Sequence, residues 1–173
     1  MEFIGGALFV ISFLVFGLSL ELIFSFVMIL VLIAESISDL NERIVIDRIW
    51  MIGIIPIIII RIIQNTFLDH LLSVAVVFGF LYLIAWIVSK LYKKEALGGG
   101  DLKLYIFIGF ILNLPLNLLS LFLASICALI YSLFRKNKKE IYIPLVPFIA
   151  FGVLISYFIG EPLISLYLTL LGV

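Results

Sequence analysis

Seven apolar runs, nearly free of charge, are strung along a chain of only 173 residues and decide most of what it is able to fold into. They are Phe3–Leu20, Leu22–Ile37, Ile49–Ile60, Leu71–Ser89, Leu104–Leu112, Leu116–Phe134 and Ile141–Ile159, with an apolar tail Pro162–Val173. A water-soluble core of this length cannot hide a chain that is 65% hydrophobic and 13% charged, because much of any folded surface stays exposed. The solvent is therefore largely lipid, and at ~20 residues per crossing the length allows at most about eight spans. Phe78–Val88 lacks the alternation of a membrane barrel, and backbone groups in lipid need partners within their own segment, so the runs are helices. The expected fold is an all-α, polytopic transmembrane bundle of about six to eight helices, a single membrane domain over residues 1–173. A soluble enzyme is excluded. With 11 basic residues against 11 acidic ones there is no basic excess to grip nucleic acid. Cys127 is the one cysteine, which excludes an internal disulfide framework and a multi-cysteine zinc site.

The first two runs, read as one straight helix from Phe3 to Ile37, would extend ~50 Å, against a hydrocarbon layer of ~30 Å. A break around Gly17–Glu21 is expected instead, giving two crossings. Gly160-Glu161-Pro162 is expected to end the last full span. Residues 1–34 then form an N-terminal span or hairpin, 35–161 the core, and 162–173 an interfacial segment. Basic residues cluster at Arg43 and Arg48, at Lys90, Lys93, Lys94 and Lys103, and at Arg135, Lys136, Lys138 and Lys139; only Arg61 lies apart. An even number of runs separates successive clusters. All three therefore face one side, and short loops rich in Lys and Arg mark the cytosolic side of a plasma membrane. No cleavable signal sequence is expected at the start.

Carboxylates at the ends of apolar runs are the candidates for chemistry. Asp39 ends the run at Glu35-Ser36-Ile37-Ser38-Asp39, and Asp101 follows Leu97-Gly98-Gly99-Gly100 directly before another run. Both fall at cytosolic helix ends. Two carboxylates in one site do not both ionise cheaply, so one holds a proton while the other acts as base toward a water between them. Structural readings stand beside this. Asp101 would serve as the N-cap of a helix beginning at Leu102, the glycines as a linker, and Asp39 as an interfacial partner of Arg43 one turn on. His70, the single histidine, falls in an outer turn, where no metal or catalytic role is expected.

Ala96-Leu97-Gly98-Gly99-Gly100-Asp101-Leu102-Lys103-Leu104 resembles the GxGD-x-K-L segment of type IV prepilin peptidases. Asp39 through Trp50 is similar to that family's first-aspartate segment, and Ile143-Pro144-Leu145-Val146-Pro147-Phe148 to the Pro-rich start of its late helix. The likeness runs in order from about Glu35 to about Glu161, and its compact form is nearest the archaeal preflagellin and prepilin peptidases. It implies an aspartyl endopeptidase that removes the short basic leader of pilin-like or archaellin-like precursors at the cytosolic face, with Asp39 and Asp101 as the catalytic pair. Gly98 and Gly100 would be the fixed glycines of the motif, with Gly99 between them where a substrate strand approaches. Lys103 would be the following cation. Glu35, Arg43, Pro144 and Pro147 are supporting candidates. No cofactor or metal is implied, and the partners are the precursors and the bilayer. Many bacterial members also carry an early cysteine-bearing loop and methylate the new N-terminus, which this chain is not expected to do. Two other readings stay open: a presenilin-like intramembrane protease, which also uses GxGD, and a non-enzymatic scaffold or transporter.

Overall fold

The computed structural model describes residues 2–92, 98–134, 143–170 and 172. Among them are seven helices and no strand: α1 (Glu2–Phe16), α2 (Leu20–Glu42), α3 (Asp47–Ile63), α4 (Phe67–Tyr92), α5 (Gly99–Ile111), α6 (Leu114–Phe134) and α7 (Val146–Leu170). α2, α4, α6 and α7 are long and apolar enough to cross a membrane, making this a multi-pass membrane protein.

The long N-terminal stretch breaks where it was expected to. Gly17 sits at φ +57°, a conformation that side chains with a Cβ rarely adopt, and it separates α1 from α2. α1 then packs back on α2, with Phe9 and Phe26 edge to face at 4.7 Å. The expected stop at Gly160-Glu161-Pro162 does not occur, and α7 runs through it to Leu170. Pro162 removes one intrahelical hydrogen bond, but in lipid a full break would strand several backbone groups with no water to take them. α3 carries Pro56 in the same way.

α5 is the centre of the bundle. Its 13 residues span only ~20 Å, too short to cross alone, and nine of them are buried. Leu104, Tyr105, Phe107 and Ile108 are essentially inaccessible, with α2, α3, α4 and α6 packed around them. The surrounding helices turn apolar faces outward: Ile52, Ile55, Ile59 and Ile62 form an exposed stripe on α3 at helical spacing. Trp50 is buried in the core. Its indole N–H donates to Asp47, which satisfies the ring's polar edge within the protein.

Candidate active site

At one end of the bundle the C-terminus of α2 meets the N-termini of α3, α5 and α7. α2 ends at Arg43, whose left-handed backbone (φ 58°) turns the chain and lets its N–H close on the Asp39 carbonyl at 3.0 Å. The four-residue connection to α3 is then tied back to α2 by two side chains. The Ser38 hydroxyl donates to the Ile44 carbonyl at 2.7 Å, and the Ile46 N–H donates to Glu35 Oε2 at 2.8 Å. Glu35 is fully buried, and its other oxygen, Oε1, has no hydrogen-bond partner among the described residues.

This pinned connection lies directly against the glycines. A Cβ on Gly100 would come within 2.6 Å of Val45 Cβ, so the absence of a side chain there is what lets the 43–46 segment reach the start of α5. A Cβ on Gly99 would meet nothing within 4 Å, so packing makes no demand for that glycine. Ala96 and Leu97 lie outside the described residues.

Asp101 is not the N-cap residue that one reading expected. α5 begins at Gly99, three residues earlier than that reading placed it, with Gly98 as its cap, which makes Asp101 the third residue of the helix. From there its carboxylate folds back to accept from the Gly98 N–H, the carboxylate half of a capping box. Asp39 occupies the last turn of α2, and its Oδ2 accepts from the Val146 N–H at 2.9 Å, one of the otherwise unpaired donors at the start of α7. Both aspartates are more than nine-tenths buried as residues, and the charge of Asp39 acts on Asp101. Arg43 in turn acts electrostatically on Asp39.

Lys103 points to the rim. Its ammonium meets Asp47 Oδ2 at 2.6 Å, joining the start of α5 to the start of α3, with both side chains about half exposed. The hydrogen bond from Lys103 holds the Asp47 carboxyl below its usual range. The prolines mark the start of α7, with Pro144 in the approach and Pro147 as its second residue. The Leu145 carbonyl between them accepts from the Phe148 and Ile149 N–H groups. The contribution of the prolines is to leave Val146 as the backbone donor that meets Asp39.

Sequence reasoning missed three participants. Val146 acts through its backbone, so its side chain gives no signal beyond the flanking prolines. Ser38 looked like an ordinary residue before an aspartate. Tyr105, four residues after Asp101 and so on the same face of α5, sat unmarked in an apolar run. His70 also departs from expectation: it is buried in the first turn of α4, its Nδ1 3.3 Å from the Gly109 carbonyl.

The arrangement offers two buried carboxyl groups, each held by a backbone N–H at a helix start, with a polar rim. That suits activation of water between a carboxylic acid and a carboxylate.

Comparison with known proteins agrees with this chemistry. Residues 26–133 match the type IV leader peptidase family. The chain is 30% identical to a prepilin leader peptidase/N-methyltransferase of Bacillus subtilis, over 96% of its own length and 68% of the relative's. It is also 30% identical to one of Legionella pneumophila, over 88% of its length and 55% of the relative's. A Haemophilus influenzae protein of the same description is 34% identical over 54% of this chain and 40% of its own. No solved structure matches. With its residues matched to that family across both aspartate segments, the chain belongs to the type IV leader peptidases.

Proposed function

We propose that this protein is a membrane aspartyl endopeptidase that cleaves the leader from type IV prepilin-like precursors, with Asp39 and Asp101 as its catalytic pair. The observation that carries the reading is the convergence of these two buried carboxylates, from helices far apart in sequence, at one end of the bundle. Family membership supplies the substrate class.

The pair shares one proton. The charged carboxylate takes a proton from water as the water oxygen attacks the scissile carbonyl carbon, and the protonated partner hydrogen-bonds the developing oxyanion. Collapse of the tetrahedral intermediate breaks the C–N bond, with the proton delivered to the departing amine. The Gly98 and Val146 N–H groups hold the two carboxyl groups in register, and Glu35 and Ser38 hold the connection that brings α2 against α5.

The site faces the cytosol in this reading, because Arg43, Arg48, Lys90 and Lys103 all belong to the helix ends around it. Pilin-like and archaellin-like leaders share a basic stretch before an apolar helix. The presenilin-like alternative is less favoured, because Asp39 lies in the last turn of α2 rather than at its middle.

The test is incubation of the purified protein in detergent or liposomes with a short-leader prepilin, followed by mass spectrometry. A single cut that releases the leader ahead of the apolar helix supports the reading. An intact precursor under conditions where a known prepilin peptidase processes it fully would overturn it.

A further inference from the structure

The bundle has an open side. Between α4 and α6 lies a cavity of about 600 Å³, apolar on nearly all its surface. Its rim is exposed, with Phe80 on α4 and Leu118, Phe122 and Ser125 on α6. Its floor is Leu81, Tyr105, Ala124 and Ile149, all buried. On α6 the lining runs from Leu118 to Ala128, ~15 Å along the helix axis. The groove therefore opens sideways, at the depth of the hydrocarbon layer.

Two features connect it to the carboxylates. Tyr105 in its floor stands one turn beyond Asp101 on α5, close enough to feel its charge. Leu145 in its wall directly precedes Val146, whose N–H holds Asp39. The Tyr105 hydroxyl is also unsatisfied: it is 1% exposed and has no hydrogen-bond partner among the described residues. The nearest hydroxyl, that of Ser120, donates to the Asn117 carbonyl. A buried hydroxyl left in this state is costly, and an acyl chain of a lipid offers nothing to accept from it. An unwound peptide does, because a scissile bond outside a helix carries free backbone carbonyls.

We propose that the α4–α6 groove seats the apolar helix of the precursor, and that the Tyr105 hydroxyl takes a backbone carbonyl of the unwound segment leading to the dyad. The proposal rests on the leader-peptidase reading and adds where that substrate enters: laterally, from the bilayer.

Blocking the groove tests it. Ser125→Trp and Ala128→Trp put bulk into the groove from α6, whereas Ile126→Trp puts the same bulk on a neighbouring exposed face outside it. The expected result is a KM for full-length prepilin raised about tenfold or more by the first two, with kcat falling far less, and no change for Ile126→Trp. A photo-reactive residue at Phe122 should cross-link to the precursor, and one at Ile55, equally exposed on α3, should not. Unchanged KM in both groove variants, cross-linking to lipid or to a second copy of this chain instead of precursor, or equal adducts at both positions would overturn the proposal. Cross-linking at Phe122 without any cleavage by the wild-type protein would uphold the groove while defeating the peptidase reading. Cleavage with neither effect would do the reverse.

Discussion

The two ends of α5 are built to opposite specifications. At its C-terminus the last carbonyls of the helix are met by side chains. Arg61 crosses from α3 to donate to the Phe110 and Ile111 carbonyls at 3.1 and 2.7 Å, and His70 meets the Gly109 carbonyl. The same guanidinium bonds Gln64, stacks over Phe24 at 4.1 Å and lies 3.9 Å from Glu21, which in turn accepts from Tyr157. A cation against the negative end of a helix dipole, with its other donors engaged, is a lock. At the N-terminus the pattern inverts. Two acids are brought to the positive ends of α5 and α7, Glu35 Oε1 and the Tyr105 hydroxyl lack partners among the described residues, and glycine leaves space that a side chain would fill. One end holds the helix; the other leaves polar groups without partners among the described residues. Of the buried side-chain atoms without a hydrogen-bond partner among the described residues, Glu35 Oε1 and the Tyr105 hydroxyl lie at this end, and those of Thr66, Asn117 and Ser156 lie elsewhere in the bundle.

This contrast sets expectations for mutants, and the largest effect on folding belongs to the locked end. Arg61→Leu leaves at least two buried carbonyls without donors and should lower stability by about 3 kcal/mol, at roughly 1–3 kcal/mol for each unsatisfied group. The protein that remains folded should cleave precursor at a near-normal rate, as read from denaturation in detergent beside activity per folded molecule. At the other end, Gly100→Ala forces a Cβ against Val45 and should displace the 43–46 connection. Activity should fall about a hundredfold, since small misplacements of a catalytic group are costly, while stability drops by only about 1–3 kcal/mol. Val45→Gly in the same chain removes the opposing Cβ and should restore much of the activity; no recovery would mean that Gly100 acts by some route other than this contact.

Glu35 separates holding from catalysing. Glu35→Gln keeps an oxygen able to accept from Ile46 and should retain most activity, whereas Glu35→Ala strands that N–H and should cost about 1–3 kcal/mol together with a marked loss of rate. Equal inactivation by both would instead assign the Glu35 charge to the chemistry. The smallest effect is expected for the rim pair. Lys103 holds the Asp47 carboxyl below its usual range, so the pair's contribution is present at neutral pH and above the unfolded-state carboxylate range. It is lost as acid protonates Asp47 through its lowered value. Lys103→Met should lower stability slightly at neutral pH and flatten the acid-range dependence by the same small amount, so that the two proteins converge in acid, measurable by melting both across pH.

The asymmetry also explains what could be read from the chain. Apolar periodicity announced the helices and the break at Gly17, because each run had to satisfy its own backbone in lipid. The Asp39 and Asp101 segments were legible as acids placed where burial is unfavourable without a purpose. Arg61 could only be noted as the one basic residue away from the clusters. Its partners are carbonyls some fifty residues away, and backbone acceptors leave no mark on a sequence. Val146 was invisible for the same reason. Pro162 was read as a stop because proline breaks helices in water, a rule that weakens where no water waits for the freed carbonyl. Asp101 was displaced by three residues from its expected cap position because glycines, poor helix formers in isolation, begin α5 in this packing.

The central claim is that Asp39 and Asp101 act as one unit at the open end of α5. Its most direct test is the cleavage rate of a short-leader prepilin by Asp39→Asn, Asp101→Asn and the double variant, each shown to be folded by its melting temperature. The amide keeps the shape and accepts from the Val146 or Gly98 N–H, but it neither holds the charge nor passes the proton. Each single variant should lose at least about a thousandfold in rate, and the double variant should be no worse than either, because a shared proton fails with the first loss. Near-normal cleavage by Asp101→Asn, or losses that multiply in the double variant, would contradict a shared-proton dyad.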